Sequence, residues 1–201
     1  MAKRYPINEI FHSLQGEGRF AGRSAVFIRF SGCNLQCPFC DTDHSSKTMM
    51  TAVDILREVA QYSSNNVVLT GGEPSLYVDD ELISTLRSYF LFIAIETNGT
   101  HKLPKGIDWI TLSPKQHVTN KAKVVLKSCN ELKVIWEDRI DMSKILNDYY
   151  GDIASNNYYV QPCDTGNEEI NKKLLQQAIN FCLNHFHWSL SIQLHKILNI
   201  K

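Results

Sequence analysis

Apolar residues recur along this chain in two alternating rhythms. Short runs rich in β-branched and aromatic residues occur at 25–30 (AVFIRF), 66–70 (NVVLT), 91–96 (LFIAIE), 108–112 (DWITL), 131–136 (ELKVIW), 157–161 (NYYVQ) and 189–194 (SLSIQL). Each reads as a strand. Between several of them the apolar period lengthens to that of a helix. Thr51 is placed to cap a helix with Val53, Leu56, Val59 and Ala60 on one face. Residues 79–89 group Leu82, Ile83 and Leu86, and residues 141–150 group Met142, Ile145, Leu146 and Tyr149 before a stop at Gly151. The longest helix is expected over 167–186, where Ile170, Leu174, Leu175, Ala178, Ile179, Cys182, Leu183 and Phe186 form a core stripe.

Strands alternating with helices predict a parallel sheet wound by crossovers. No repeat, low-complexity tract or linker divides the sequence, so one domain over 1–201 is expected. A full eight-fold barrel runs to about 250 residues, and the segments 97–107 and 113–130 have weak helical periodicity. The fold class expected is therefore α/β, an incomplete and open-sided β/α barrel. The unusual polar stretches share one position. The cysteines follow the first strand, TGGEP the second, ETNGT the third, SPK the fourth, QPCD the sixth and HK the seventh. Ligands of barrel and open α/β folds sit at the carboxyl ends of the strands, so these stretches should meet on one rim.

Composition narrows the chemistry. Lys and Arg number 21, as do Asp and Glu, for a formal net charge of zero. That balance gives no bulk electrostatic grip on nucleic acid or an anionic membrane, and near-neutral chains tend to associate. The first residues, MAKRYPINEIFHSL, lack the apolar core of a secretory leader. The longest apolar run, around Phe90–Ile95, is far below the ~20 residues of a membrane helix. A soluble cytoplasmic protein is expected. The cysteines are Cys33, Cys37, Cys40, Cys129, Cys163 and Cys182. In a reducing compartment the first three point to a metal or catalytic site rather than a disulfide framework. Cys129 and Cys182 read as structural.

The spacing C-x3-C-x2-C at 33–40 lets one tight loop present three thiolates to a single centre. Thiolates favour zinc and iron–sulfur clusters. One alternative is structural zinc with His44 as the fourth ligand, although no second cysteine pair accompanies it. The other is a 4Fe–4S cluster with one iron left open to a small molecule. Further on, Thr70-Gly71-Gly72-Glu73-Pro74 follows a strand, and glycine there permits close backbone approach to a ligand. By itself that stretch would equally be a strand-ending turn.

With the aromatic Phe39 before its last cysteine, the loop followed one helix later by GGE resembles the signature of radical S-adenosylmethionine (SAM) enzymes. Longer stretches sharpen the resemblance. FHSLQGEGRFAGRSAVFIRFSGCNLQCPFCDT (11–42), VVLTGGEPSL, ETNGT, SPK, ELKVI, YYVQP and SIQLHKILNI are similar to the 7-carboxy-7-deazaguanine synthase family, over most of the chain. The resemblance implies a homodimeric lyase on a reduced β/α barrel, in the route to queuosine and other 7-deazapurines. Such a lyase converts 6-carboxy-5,6,7,8-tetrahydropterin to 7-carboxy-7-deazaguanine and ammonia. It uses SAM catalytically, with a 4Fe–4S cluster, Mg²⁺ and an electron donor such as flavodoxin or ferredoxin. The cofactors then carry the radical chemistry, and no side chain is expected to be a catalytic group in its own right.

Carried over by resemblance, Cys33, Cys37 and Cys40 ligate the cluster, with SAM on the open iron. Phe39, Cys40, Asp41, Gly72, Ser113, Pro114, Lys115, Gln161, Pro162, Cys163 and Asp164 bind SAM, and Thr42 binds Mg²⁺. Leu14, Gln15, Gly16, Arg29, Thr70, Glu96, His195 and Lys201 bind substrate. An arginine on an interior strand needs an anionic partner, either a substrate carboxylate or a structural salt bridge. Glu96 ends an apolar strand, where a carboxylate is unexpected, and it could accept adjacent N–H donors of a pterin edge. His195 reads equally as a packing histidine, and Thr42 as a turn hydroxyl. At Lys201 the carboxylate, with an immaterial side chain, is expected to reach the substrate. The loop lacks an insertion that some relatives carry, which changes the surface open to the electron donor. Two other readings differ at the bench. A glycyl-radical activating enzyme shares the loop but takes a protein substrate, and a zinc-stabilised binding module would be colourless and iron-free.

Overall fold

In the computed structural model, which describes residues 2–40, 42–43, 46–138 and 141–201, the expected strands are all present. They are β2 (Ser24–Phe30), β4 (Asn66–Gly71), β5 (Phe92–Thr97), β6 (Trp109–Leu112), β7 (Glu131–Trp136), β8 (Tyr158–Pro162) and β9 (Trp188–Leu190). They run parallel in that order. β9 is shorter than the expected 189–194. Two further strands, β1 (Tyr5–Leu14) and β3 (Thr48–Met50), add antiparallel pairings at the β2 edge. The sheet order is β3-β1-β2-β4-β5-β6-β7-β8-β9. β1 buries Tyr5, Ile7 and Phe11 but interposes Asn8, Glu9 and His12. A half-solvated antiparallel strand carries a weaker apolar run than a doubly covered parallel one, so its sequence signal is faint.

Among the described residues no pairing joins β3 to β9, so the barrel stays open. The turn after β1 spans the gap instead. Leu194 N–H donates to the Gly16 carbonyl at 2.9 Å, and Gly18 N–H donates to Ser191 Oγ at 3.0 Å.

Helices cover the outer face. Thr51 caps α1 (Ala52–Val59) by accepting from the Asp54 amide, and Asp54 reciprocates to Thr51 N–H. The buried stripe of α1 is Ala52, Ile55 and Val59, whereas Val53 faces solvent, so the expected face is rotated. α2 (Asp80–Arg87) buries Leu82, Ile83 and Leu86 as expected. α3 (Met142–Asp152) runs through Gly151 rather than stopping there, and chain direction changes at Ile153. α4 (Glu168–Asn184) packs Leu174, Ala178 and Phe181 inward; Ile170, Leu183 and Phe186 of the expected stripe are exposed.

Period-two alternation sorts each strand onto two faces. Outward, Val26, Ile28, Phe30, Val67, Leu69, Ile93 and Ile95 pack beneath α1 and α2. Leu132, Val134, Trp136 and Val160 pack beneath α3 and α4. Each such side chain contributes about 1.5–3 kcal/mol on burial. Inward, Phe11, Ala25, Phe27, Val68 and Ala94 form an apolar layer. Toward the strands' carboxyl ends the inward residues turn polar, and Arg29, Thr70, Glu96, Lys133 and Gln161 line a cavity.

Candidate functional site

The cavity has a volume of about 660 Å³ and lies at the carboxyl ends of the strands. Apart from Pro114, which is buried beside it, every described residue singled out for the site lines it. Asp41 and His44 lie outside the described residues. One wall is the loop after β2, where Cys33, Cys37 and Cys40 all face the cavity. Few backbone bonds shape this loop. Leu35 is buried and its N–H donates to Cys33 Sγ at 3.4 Å; Cys40 N–H donates to the Cys37 carbonyl at 3.1 Å. Asn34 ties the loop to the next one, donating to Thr100 Oγ1 and accepting from Asn98 Nδ2. Burial pushes the Cys33 and Cys37 thiols up, while the Lys115 ammonium opposes this at Cys37. Among the described residues the thiols do not gather round a point for one ion. Three soft donors spread along one loop fit a cluster in which each iron takes its own thiolate.

The second wall is TGGEP. Gly71, the last residue of β4, has φ +120°, a region essentially closed to other residues. A Cβ there would also lie 2.3 Å from the Phe30 carbonyl oxygen of β2. That close approach lets Gly72 N–H donate to Phe30 O and Glu73 N–H to Gly32 O, both at 3.0 Å. Glu73 is buried and accepts from Thr97 Oγ1 at 2.6 Å, Asn98 N–H at 2.7 Å and Ser75 N–H at 3.0 Å. It locks TGGEP to ETNGT. Neither Glu73 nor Asn98 was singled out from the sequence.

The third wall carries the expected SAM contacts of the later strands. Lys115 Nζ donates to Ser113 O and Oγ, and burial pushes its ammonium down to about 8. Asp164 at the rim accepts from Lys196, the Gly166 N–H and Asn171, which hold its carboxyl down to about 2. Pro162 and Cys163 line the cavity beside it. Gln161 is already engaged at both ends of its amide, accepting from Ser191 Oγ and donating to Glu17, both at 2.9 Å.

Opposite lies the expected substrate side. A register shift between Ile7 and Glu9 sets Glu9 across from Arg29, as bulges re-aim side chains. Arg29 Nε donates to Glu9 Oε1 at 3.0 Å, so this arginine has a protein anion as partner. Lys201 Nζ binds the other Glu9 oxygen at 2.8 Å and lies over the Phe11 ring. The Lys201 side chain is thus part of the wall and not immaterial, and its carbonyl oxygen accepts from Ser13 Oγ at 2.6 Å. Glu96 accepts from Gln15 Nε2 at 2.9 Å. His195 is in the first turn of α5 (Leu194–Leu198), not on a strand, and its ring lies against Gly16, where a Cβ would stand 2.1 Å from Nδ1. Leu14, Thr70 and Thr42 complete the lining.

At the floor stands a group the sequence reading passed over. Glu17 accepts from Lys133, Gln161 and Gln193, which come from β7, from β8 and from beyond β9. Burial alone would raise its carboxyl, but the Lys133 charge and the three hydrogen bonds lower it overall. The signal was available in ELKVIW, where a lysine interrupts an apolar strand much as Glu96 does in LFIAIE.

Known proteins share these features. Residues 27–173 match the model of the radical SAM superfamily. A 7-carboxy-7-deazaguanine synthase of Bacteroides thetaiotaomicron is 45% identical over 97% of this chain and 98% of its own. One of Nitratidesulfovibrio vulgaris is 38% identical, covering 98% of this chain and 99% of the relative. Among solved structures, that of QueE from Escherichia coli superposes with a TM-score of 0.76 at 28% identity, over 96% of this chain and 95% of that one.

Proposed function

Because this chain belongs to the radical SAM superfamily, and within it to the 7-carboxy-7-deazaguanine synthase family, we propose that it performs the family's reaction. It converts 6-carboxy-5,6,7,8-tetrahydropterin to 7-carboxy-7-deazaguanine and ammonia, in the route to queuosine or another 7-deazapurine. The observation that carries this reading is a single cavity with a three-thiol loop and a glycine-opened strand end on one side, and Arg29, Gln15 and Glu96 on the other. When bound, a 4Fe–4S cluster on Cys33, Cys37 and Cys40 with SAM supplies the carbon radical that such a ring contraction needs.

The chain's own residues bind and orient. Gly71 and Gly72 leave backbone open on one wall where SAM would bind, and Ser113, Lys115 and the 161–164 stretch would supply further contacts to it. Arg29, braced by Glu9, offers its guanidinium to the pterin carboxylate. Glu96 accepts N–H groups of the amino-pyrimidinone edge, and the apolar layer below holds water away from the ring. The whole chain acts as one domain. The loss of ammonia needs no net oxidant, so SAM is recovered at each turnover. Anaerobic reconstitution with iron, sulfide, reductant, SAM, Mg²⁺ and the carboxy-tetrahydropterin should therefore release many equivalents of ammonia and deazaguanine per SAM lost. One-for-one consumption of SAM, or no deazaguanine, would overturn the proposal. A glycyl-radical activating role is disfavoured by the full-length likeness to synthases.

Mg²⁺ belongs to the same proposal. Thr42 lines the cavity two residues beyond Cys40 and would offer a hydroxyl oxygen to a hard cation, completed by the substrate carboxylate and waters. A Thr42→Ala variant is expected to need more Mg²⁺ for half-maximal activity while its iron content and visible absorbance stay unchanged. Loss of both together would mean that the hydroxyl serves the cysteine loop instead. A homodimer fits the exposure of Leu183 and Phe186 at the end of α4. Among the described residues no helix is long and apolar enough to cross a membrane. A cytoplasmic setting, with flavodoxin or ferredoxin as electron donor, completes the reading.

A further inference from the structure

Lys133 sits in the middle of β7 between the fully buried Leu132 and Val134. Its side chain is 4% exposed and reaches the cavity floor between two carboxylates. It is hydrogen-bonded to Glu17 Oε2 and lies 3.5 Å from Glu96 Oε2. The two acids differ in what the protein leaves of them. Glu17 is taken up by the chain, with Lys133 on one oxygen and the amides of Gln161 and Gln193 on the other. Glu96 has one donor per oxygen, Gln15 Nε2 and Lys133 Nζ, and its side chain is 25% exposed toward the cavity. A carboxylate offers about four lone-pair positions. Each oxygen of Glu96 therefore keeps one for a ligand.

The ammonium between the two acids fixes where those positions point, because Lys133 is itself held by Glu17. Burial alone would lower the Lys133 ammonium, but the charges of Glu17 and Glu96 raise it well above the usual lysine range. It is a fixed positive charge and a poor proton donor.

We propose that Lys133 is a positioning residue for substrate recognition: clamped by Glu17, its ammonium holds Glu96 oriented so that both oxygens accept N–H groups of the pterin's amino-pyrimidinone edge. The inference rests on the pterin reading given above.

Lys133→Met alone would strand the buried Glu17, so the test uses Lys133→Met/Glu17→Gln, which removes both charges of the clamp. Substrate affinity is measured by calorimetry on cluster-loaded protein with SAM present. The double variant should keep its visible absorbance and its SAM affinity. Its pterin Kd should rise about tenfold to a hundredfold, the range for losing a hydrogen bond to a charged group. The same change made in a Glu96→Gln background should cost little more than Glu96→Gln alone, because Lys133 acts through Glu96. Lys133→Gln/Glu17→Gln serves if the methionine variant fails to load its cluster. Unchanged pterin affinity, a loss that simply adds to that of Glu96→Gln, or a fall in kcat at constant Kd would each overturn the inference. A parent protein that does not bind the pterin would overturn the substrate reading, and this inference with it.

Discussion

Cys37→Ala is expected to leave the chain folded, colourless and inactive. The thiol belongs to a loop that contributes little to the core. From Cys33 to Cys40 every side chain but that of Leu35 is partly or fully exposed, and Asn34 ties the stretch to Thr100 and Asn98. Deleting the Cys37 sulfur removes no buried hydrophobic contact of the two main cores. Far-ultraviolet circular dichroism and the denaturation midpoint of the unloaded protein should therefore match the parent. Iron binding is another matter, because three thiolates are the whole protein contribution to the cluster, and a cofactor that supplies the hard chemistry has no substitute among the remaining side chains. Anaerobic reconstitution should give no broad visible absorbance and no deazaguanine. Cys182→Ala, on the partly buried side of α4, should keep both. Zinc without iron in the parent, or an iron-loaded and active Cys37→Ala variant, would sink the cluster reading.

How far the sequence could be read depended on how each signal arises. The seven parallel strands were legible because they are covered on both faces and so read as apolar runs. β1 was not, since Asn8, Glu9 and His12 dilute its pattern, and losing it hid Glu9, the partner of Arg29. Helix existence followed from period, but helix facing did not. Val53 and Ile55 of α1 are both apolar, and only packing into the core shared with β1 and α2 decides that Ile55 goes inward. Gly151 looked like a stop, yet a glycine one residue before a helix end costs little there.

The site divides in the same way. Residues within continuous motifs, Cys33, Cys37, Phe39, Cys40 and Thr42 in one stretch and Thr70 and Gly72 in the other, line the cavity together, and the family resemblance of those stretches was enough to single them out. Residues that matter through distant partners were harder. Glu17 meets Lys133, Gln161 and Gln193 across 116, 144 and 176 positions, and no local pattern announces such a meeting. The one available clue was chemical. A charged residue on the inward face of a buried strand must have a partner, and that reasoning, applied to Arg29 and Glu96, extends equally to Lys133.

Replacing Glu17 by alanine should produce the largest loss of stability among single changes at the site. An open sheet has two edges that backbone hydrogen bonds do not join, here β3 and β9. The turn after β1 crosses that gap, and Glu17 is its main fastener, holding β7, β8 and the segment after β9 at once. Alanine leaves the Lys133 ammonium in the interior with Glu96, 3.5 Å away, and the charge of Glu131. Removing one partner of a buried ion pair costs about 3–5 kcal/mol. The remaining carboxylate places the expected loss at the low end, which corresponds to a urea midpoint lower by about 1–2 M. The pH dependence carries a sign. Because the folded protein lowers the Glu17 carboxyl, its contribution is full above the ordinary glutamate range and is lost as pH falls through the depressed value. Parent and variant should therefore differ most near neutral pH and converge in acid. Lys133→Met/Glu17→Gln should unfold closer to the parent than Glu17→Ala does, since it leaves no charge stranded. If Glu17→Ala instead unfolds at the parent's midpoint at neutral pH, the barrel's open side is held by its other ties, among them the Gly16–Leu194, Gly18–Ser191 and Arg19–Glu131 bonds, and the Glu17 cluster serves only the ligand.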